Sequence, residues 1–188
     1  MTKNLDELTA AELGQLFPII LSEPRAEWKD LFTREKNNIV TLLSDKLALR
    51  VEHFGSTAVP HLIAKPTIDI LVEIPEGEHA KNQIVKIMTS NGYGHVPGPK
   101  HLMIVKGYTP EGFKGQCYHI HMVPKEDGGF WDRLYFRDYL IANPSVASEY
   151  AELKKGLATE YEHDRDGYTK AKTEFIKKVT QIAKNALK

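Results

Sequence analysis

The sequence predicts an α/β (α+β) fold in which helices flank a mixed β-sheet. Three observations support it: apolar residues recur at helical spacing near both ends of the chain, short β-like runs fill the middle, and one helical segment separates those runs. A crossover helix between strands indicates a sheet with both parallel and antiparallel pairs. The 188 residues suit one domain, with N-terminal helices (1–46), a sheet core (47–125) and C-terminal helices (126–188).

The N-terminal part is predicted to hold two helices. Thr9 and Glu12 form a capping box that opens a short helix, and Pro18 should end it. Pro24 suits the first turn of the second helix, where its missing N–H costs nothing. The apolar residues of that helix share one face, which should pack on the core: Trp28, Leu31, Phe32, Ile39, Leu42 and Leu43.

Strands and then further helices follow. We predict strands at 50–54, 68–74, 101–107 and 116–123, with a helix over 78–91. Pro144 is expected to begin a new helix after Asn143. A final helix carries an inner stripe of Tyr168, Ala171, Phe175, Ile176, Val179 and Ile182.

The charge of the chain is balanced, with 25 Lys and Arg against 25 Asp and Glu. Proteins that bind nucleic acid generally carry a surplus of basic residues, since each neutralised phosphate contributes to binding. We therefore expect no general nucleic-acid binding. Any anion site has to be built locally from a few side chains.

The sequence also indicates a cytoplasmic protein. Cys117 is the only cysteine, so no intrachain disulfide can form. Residues 1–7 are polar, unlike a secretory signal, and no stretch approaches the roughly 18 apolar residues of a membrane span. We expect a soluble cytoplasmic protein without a membrane partner.

The most unusual part of the sequence lies between residues 52 and 72. Gly55, Ser56 and Thr57 follow one predicted strand, and Asp69 lies near the start of the next. Glycine permits close approach to the backbone, while the two hydroxyl groups can bind phosphate oxygens. A Gly-Ser-Thr segment is often an ordinary turn, but the acid on the next strand favours a phosphate site.

These residues and several later motifs closely resemble the GrpB family. The motifs span residues 52–60, 65–70, 106–113, 118–121, 136–140 and 168–172, so the resemblance covers nearly the whole chain. The family in turn resembles the C-terminal domain of some bacterial dephospho-coenzyme A kinases. The resemblance implies a nucleotidyltransferase-like fold, in which a Gly-Ser turn lies beside a nucleoside triphosphate and acids on the next strands hold a divalent metal. It does not imply a particular reaction.

The match to active nucleotidyltransferases is incomplete at the metal site. Those enzymes carry Asp-x-Asp on the second strand, whereas here Asp69 takes the second position and Thr67 the first. Glu73 faces the same way but lies about 13 Å along the strand, too far to share an ion with Asp69 directly. Two-metal transfer with Mg²⁺ is therefore weakened, because it needs carboxylates that bridge both ions.

Two histidines on a later strand offer other ligands. His119 and His121 alternate to one face with Cys117, and together with Asp69 they would suit Zn²⁺, Mn²⁺ or Fe²⁺ better than Mg²⁺. Asp69, His119 and His121 are thus the candidate catalytic and metal-binding residues, and a divalent ion (Mg, Mn or Zn) is the expected cofactor. The alternative is a hydrogen-bonded polar patch.

Basic side chains are candidate phosphate ligands beside the Gly-Ser-Thr turn. Lys65 lies between that turn and Asp69, and Arg137 lies on a predicted C-terminal helix. Each is suited to clamp a phosphate. Alternatively, Lys65 is solvated and Arg137 pairs with a nearby acid. Lys106 and Lys172 are weaker candidates of the same kind.

Three functions are compatible with these residues. The first is a nucleotidyltransferase, in which Gly55, Ser56 and Thr57 cradle phosphates and a histidine completes the metal shell or acts as a general base. The second is a non-catalytic module that binds a nucleotide or a coenzyme A-like ligand. The third is a structural or interaction protein. The first two share one partner, a nucleotide or other phosphorylated small molecule.

Overall fold

A five-stranded sheet forms the centre of the computed structural model, which describes residues 5–97 and 101–186 without the side chain of Asp6. The strands are β1 (Arg50–Phe54), β2 (Thr67–Glu73), β3 (Gly94–Val96), β4 (Leu102–Thr109) and β5 (Gly112–Val123). Their order is β1-β2-β5-β4-β3, with β2 and β5 parallel and the other neighbours antiparallel. The predicted mixed sheet is confirmed. Residues 1–4 and 187–188, which the sequence predictions included, lie outside the described residues.

Helices flank the sheet on both faces. They are α1 (Ala10–Leu16), α2 (Glu27–Leu47), α3 (Glu78–Ser90), α4 (Gly128–Ala142), α5 (Pro144–Glu160), α6 (Arg165–Ala171) and α7 (Thr173–Asn185), with 3-10 turns at Leu5–Glu7 and Ser56–Ala58. The predicted capping box of α1 is confirmed: the Glu12 N–H donates to the Thr9 hydroxyl over 3.2 Å, and the Glu12 carboxylate accepts from the Thr9 N–H over 2.8 Å. Pro144 begins α5, as predicted. Among the described residues, every helix is too short or too polar to cross a bilayer.

The predicted start of α2 was wrong. The helix begins at Glu27, and Pro24 precedes it. The reason is a bridge between Ser22 and Ala64, in which the Ser22 N–H donates to the Ala64 carbonyl over 2.8 Å and the Ala64 N–H donates back over 3.1 Å. This pairing holds the chain extended before the helix, so the proline lies in the connection.

The predicted final helix is divided into α6 and α7, which meet at Lys172. Tyr168 and Phe175 lie on different helices, yet their spacing still fits a helical period, so the pattern alone did not reveal the break. Strand β3 was not predicted, because three residues are too few to show an alternating pattern.

The two faces of the sheet have different roles. One face packs on α2 and α3 and forms the main core, in which Ile68, Ile70 and Val72 of β2 are fully buried. The opposite face carries Asp69, which lies directly opposite His119 in the parallel register of β2 and β5. This second face is covered by the C-terminal helices, with Leu134 of α4 packed against it. Polar groups of the sheet are therefore enclosed between the strands and α4 to α7.

Candidate functional site

The Gly-Ser-Thr segment and Asp69 lie in direct contact. Gly55 follows β1 with a φ of 72°, a left-handed conformation, and the next three residues form the short turn Ser56–Ala58. A Cβ atom placed on Gly55 would lie 2.4 Å from Asp69 Oδ2. Only glycine therefore lets the Asp69 carboxylate approach the backbone of this turn.

Gly55→Ala is expected to lower the free energy of unfolding by about 2 kcal/mol, because it adds both left-handed strain and a clash with Asp69. Gly77→Ala is the matched control: Gly77 has a φ of 97°, and nothing lies within 4 Å of its added Cβ. That variant measures the backbone cost alone, about 1 kcal/mol. Equal losses for the two variants in urea unfolding would show that the contact with Asp69 has no energetic weight.

The Thr57 hydroxyl forms hydrogen bonds with other groups of the protein. Its buried hydroxyl donates to the Thr67 carbonyl over 3.3 Å and accepts from His53 Nε2 over 3.1 Å. The His53 ring stacks on Phe32, and burial, helped by the charge of Arg137, lowers the pKa of His53 to about 4 although Asp69 opposes the shift. A neutral His53 thus braces the turn from the side away from Asp69. The Ser56 hydroxyl forms a hydrogen bond with the buried Tyr150 side chain. Because a hydroxyl can both donate and accept, Ser56 stays the candidate phosphate ligand of the two.

Asp69 begins a chain of three polar side chains. His119 Nδ1 lies 3.3 Å from Asp69 Oδ1, and His119 Nε2 lies 2.7 Å from the hydroxyl oxygen of Tyr108. Burial tends to raise the pKa of Asp69, but the hydrogen bond from His119 and the favourable electrostatic contributions of His119, His121 and Lys65 outweigh it, so the pKa lies below its ordinary value. The carboxylate is therefore charged at neutral pH and holds the imidazole by one nitrogen.

The second predicted histidine, His121, forms its hydrogen bond with a residue other than Asp69. His121 lies opposite Leu71, one step beyond the pair of Asp69 and His119, and its Nδ1 shares a 2.8 Å hydrogen bond with His101 Nε2. Burial lowers the pKa of His121 to about 3, with Asp69 acting in the opposite direction. His121 is therefore neutral and forms part of a polar and aromatic patch with His101.

The described side chains do not fit a metal centre held by protein ligands alone. Within residues 5–97 and 101–186, no three His, Cys, Asp or Glu side chains are placed to hold an ion. Asp69 and His119 contact each other, and His121 contacts His101. The Cys117 thiol donates to the Gly107 carbonyl over 3.3 Å. The predicted divalent ion stays a prediction, and we assign no chemical step to it.

Basic side chains gather on the side of Asp69 towards α6. Lys172 Nζ lies 3.9 Å from the ring centre of Tyr168, and Lys65 Nζ lies 5.7 Å from the same centre. Burial lowers the pKa of Lys172 to about 7, and Lys65 adds to the shift. Burial also lowers the pKa of Lys65 to about 8, with a further contribution from Arg165.

In the described part of the chain, Asp69 is the acid whose charge favours the protonated forms of both Lys65 and Lys172. A third lysine, Lys154, is buried behind them and donates to the Ile63 carbonyl. Burial and the charge of Lys172 lower the pKa of Lys154 to about 7. We call Asp69, the Gly55 to Thr57 turn, Lys65, Lys172 and Arg165 the Asp69 site. It holds more positive groups than its single carboxylate can balance.

The other two predicted phosphate ligands bind protein groups. Arg137 donates to Glu52 over 3.1 Å, to Asp138 over 2.7 Å and to the His53 carbonyl over 2.7 Å. Pairing of Arg137 with a nearby acid is the alternative that the sequence left open, and the structure adds that two of these contacts join α4 to β1. Lys106 forms an ion pair with Glu35 of α2 over 2.9 Å, on the opposite face of the sheet.

Sequence reasoning did not identify Tyr108 or Arg165 as site residues. Along a regular strand Tyr108 would face the same side as Lys106, but the strand bulges between them. Gly107 has a φ of 87° at this bulge, and an added Cβ would lie 2.5 Å from the Gln116 carbonyl oxygen. The bulge turns Tyr108 towards His119. The Gly-Tyr pair in the sequence was the only signal for it, and it is a weak one.

Comparisons with known proteins agree with this fold. The family described as GrpB protein matches residues 18–182. The chain is 34% identical over 158 residues to the protein YqkA of Bacillus subtilis, covering 84% of this chain and 45% of that protein. It is 32% identical over 167 residues to the glutamate-rich protein GrpB of Alkalihalophilus pseudofirmus, covering 86% of this chain and 93% of that protein. The chain thus spans about half the length of some relatives and nearly all of others.

Solved structures and more distant relatives extend the comparison. The crystal structure of the conserved protein GrpB from Enterococcus faecalis aligns with a TM-score of 0.77 and 32% identity, covering 90% of this chain and all of that one. A structure of Cid1, an RNA terminal uridylyl transferase, aligns with a TM-score of 0.45 and 13% identity over 78% of this chain and 44% of that one, a similarity too weak to inform on the site.

A dephospho-CoA kinase of Mycolicibacterium paratuberculosis is 28% identical over 185 residues, covering 85% of this chain and 44% of the kinase. The predicted resemblance to such kinases is confirmed. Because the family match extends over most of the sequence and the Enterococcus structure aligns along its full length, this chain belongs to the GrpB family.

Proposed function

We propose that this chain binds a nucleotide or another phosphorylated small molecule at the Asp69 site. The observation that carries the proposal is the cluster of Lys65, Lys172 and Arg165 beside a single carboxylate. Like charges held together and partly removed from water are costly unless an anion joins them. A phosphorylated ligand supplies that anion, and it explains how a chain with no net charge can bind phosphate.

Each part of the site has a distinct task in this proposal. Gly55 lets the Asp69 carboxylate lie against the turn, and the Ser56 hydroxyl, held by Tyr150, supplies a hydrogen bond to the ligand. Lys65 and Lys172 neutralise the phosphates from the side of α6. When the ligand is absent, the negative charge of Asp69 partly offsets the repulsion between the two lysines. The dephospho-CoA kinase relative places coenzyme A and its precursors among the ligands to be tested.

A thermal-shift panel tests the proposal. The panel contains the nucleoside triphosphates, dephospho-coenzyme A and coenzyme A, each with EDTA, Mg²⁺, Mn²⁺ or Zn²⁺, and a ligand at 100 times its Kd adds about 2.7 kcal/mol to the free energy of unfolding. Lys172→Met is expected to weaken binding about tenfold or more, since it removes a charge-assisted contact. Lys170→Met is the matched control, because Lys170 lies two residues earlier in the last turn of α6 and is exposed.

The lowered lysine pKa values predict how pH changes both the free energy of unfolding and the stabilisation by ligand. Without ligand, the free energy of unfolding should rise between about pH 7 and about pH 10, because the unfolded lysines bind protons that folded Lys172 and Lys65 have lost. An anion prefers the charged lysines, so ligand-induced stabilisation should decrease from about pH 6.5 to about pH 8.5. The proposal is wrong if no member of the panel stabilises the protein, or if Lys172→Met and Lys170→Met bind equally well.

Nucleotidyl transfer is the second function that a specific observation favours. His119 has the arrangement of a general base, with Asp69 on one ring nitrogen and a hydroxyl group on the other. A module that only binds its ligand has no need of that arrangement. Release of pyrophosphate from a bound nucleoside triphosphate separates the two functions.

A further inference from the structure

The Tyr108 hydroxyl occupies an unusual position for a side chain on a β-hairpin. It lies 2.7 Å from His119 Nε2, and Arg165 and Thr67 also lie within hydrogen-bonding reach of it. The ring is held by Phe17 at a centroid distance of 5.1 Å and by the stacked ring of His119 at 5.4 Å. The phenol is therefore fixed in one orientation and is only partly buried.

The proton positions along the row of Asp69, His119 and Tyr108 follow from the chemistry of the three side chains. A charged Asp69 carboxylate can only accept, so His119 Nδ1 carries the hydrogen and donates to it. In the neutral ring His119 Nε2 is then an acceptor, and the Tyr108 hydroxyl donates to it. Acid, base and hydroxyl thus stand in the order used for activating an oxygen nucleophile.

We propose that Tyr108 is the acceptor of a nucleotidyl group, and that this chain labels itself there when it binds a nucleoside triphosphate. The inference rests on the proposed binding of such a ligand at the Asp69 site. In the step, Tyr108 Oη attacks the α-phosphorus and an Oη–P bond forms. The bond from that phosphorus to the bridging oxygen of the β-phosphate breaks, and pyrophosphate leaves with the bonding electrons. The phenolic proton passes to His119 Nε2.

The surrounding charges suit this step. Arg165 stands beside the Tyr108 oxygen, where negative charge develops, and its guanidinium lies 5.9 Å from the Tyr108 ring centre. Lys65 lies near enough to Arg165 for the two charges to interact, and Lys172 interacts with Lys65 in the same way. In the proposed step these two lysines stabilise the departing pyrophosphate.

The other candidate nucleophiles of the site are held by contacts within the protein. Lys172 packs on the Tyr168 ring, and Lys154 is bound to the Ile63 carbonyl. The Cys117 thiol is buried and donates to the Gly107 carbonyl. The Thr57 hydroxyl also contacts a histidine, but it donates its hydrogen to the Thr67 carbonyl. Tyr108 instead donates its hydrogen to His119 and has Arg165 beside its oxygen.

The test is incubation of the full chain with ATP, GTP, CTP or UTP labelled at the α-phosphate, with Mg²⁺, Mn²⁺ or EDTA. Protein-bound label is counted after acid treatment, because a tyrosine phosphodiester survives acid whereas a lysine phosphoramidate does not. The labelled residue is located by peptide mass spectrometry. Tyr108→Phe keeps the stacked ring and removes the hydroxyl, and Tyr135→Phe on α4 is the control, since Tyr135 is 38% exposed and outside the site. Nucleotide binding and thermal unfolding are measured for every variant.

We expect acid-stable label on Tyr108 in wild type and in Tyr135→Phe, and a loss of at least about 100-fold in Tyr108→Phe with nucleotide binding retained. Wild type that binds nucleotide but takes up no acid-stable label would overturn the inference and leave the proposed function intact. So would a Tyr108→Phe variant that takes up acid-stable label as fast as wild type, or label that acid removes and that mass spectrometry without acid treatment locates on a lysine. If no nucleotide binds wild type at all, the proposed nucleotide binding is wrong, and the inference about Tyr108 is wrong with it.

Discussion

Lys106→Met is expected to lower the free energy of unfolding by about 3 kcal/mol, because it leaves a buried carboxylate without its cation. Glu35 of α2 is 2% exposed, and Lys106 Nζ donates to its two oxygens over 2.9 and 3.2 Å. The Tyr93 hydroxyl donates to the same carboxylate over 2.6 Å. Burial, together with this hydrogen bond, raises the pKa of Tyr93 well above its usual range, so the phenol cannot replace the lost charge.

Urea unfolding of matched variants measures this cost. Lys177→Met removes an exposed partner of Glu174, over 3.1 Å on α7, and should change stability by about 0.5 kcal/mol or less. A double variant, Lys106→Met with Glu35→Leu, should recover much of the loss, since no charge then remains buried. Equal effects of Lys106→Met and Lys177→Met would show that the pair between α2 and β4 is no stronger than a surface contact. Ligand binding at the Asp69 site should be unchanged in Lys106→Met, because Lys106 lies across the sheet.

Features fixed by local sequence were predictable. The apolar run of β2 marks a buried strand, and Gly55 followed by two hydroxyl residues marks a turn whose contact with Asp69 needs only two neighbouring strands. The capping box of α1 and the start of α5 at Pro144 are local for the same reason. In each case the physical cause lies within a few residues of the feature.

Features that depend on the register of distant segments were not predictable. Alternation correctly suggested one face for His119 and His121, but only the pairing of β2 with β5 decides that His119 lies opposite Asp69 and His121 opposite Leu71. The bulge at Gly107 likewise separates Lys106 from Tyr108, so a lysine considered for phosphate binding supports the core and an unremarked tyrosine reaches the site.

Asp69→Asn is expected to slow labelling of Tyr108 by about 100-fold to 10,000-fold while nucleotide binding is retained or tightened. The asparagine amide can donate to His119 Nδ1, which places the ring hydrogen on Nε2 and leaves no acceptor for the Tyr108 proton. Binding should not suffer, because Asp69 is the acid that opposes the positive field of Lys65 and Lys172. The two effects are measured separately, as the labelling rate at saturating nucleotide and as Kd.

The direction of the change in binding distinguishes two roles for Asp69. If it positions His119, nucleotide Kd stays the same or falls in Asp69→Asn, with or without divalent ions. If it holds an ion that the nucleotide needs, Kd rises steeply in Asp69→Asn and the Mg²⁺, Mn²⁺ or Zn²⁺ dependence of wild-type binding disappears. Asp45→Asn, an exposed change on α2, controls for loss of one negative charge. The 3.3 Å contact between Asp69 and His119 leads us to expect the first outcome, in which this carboxylate serves the imidazole.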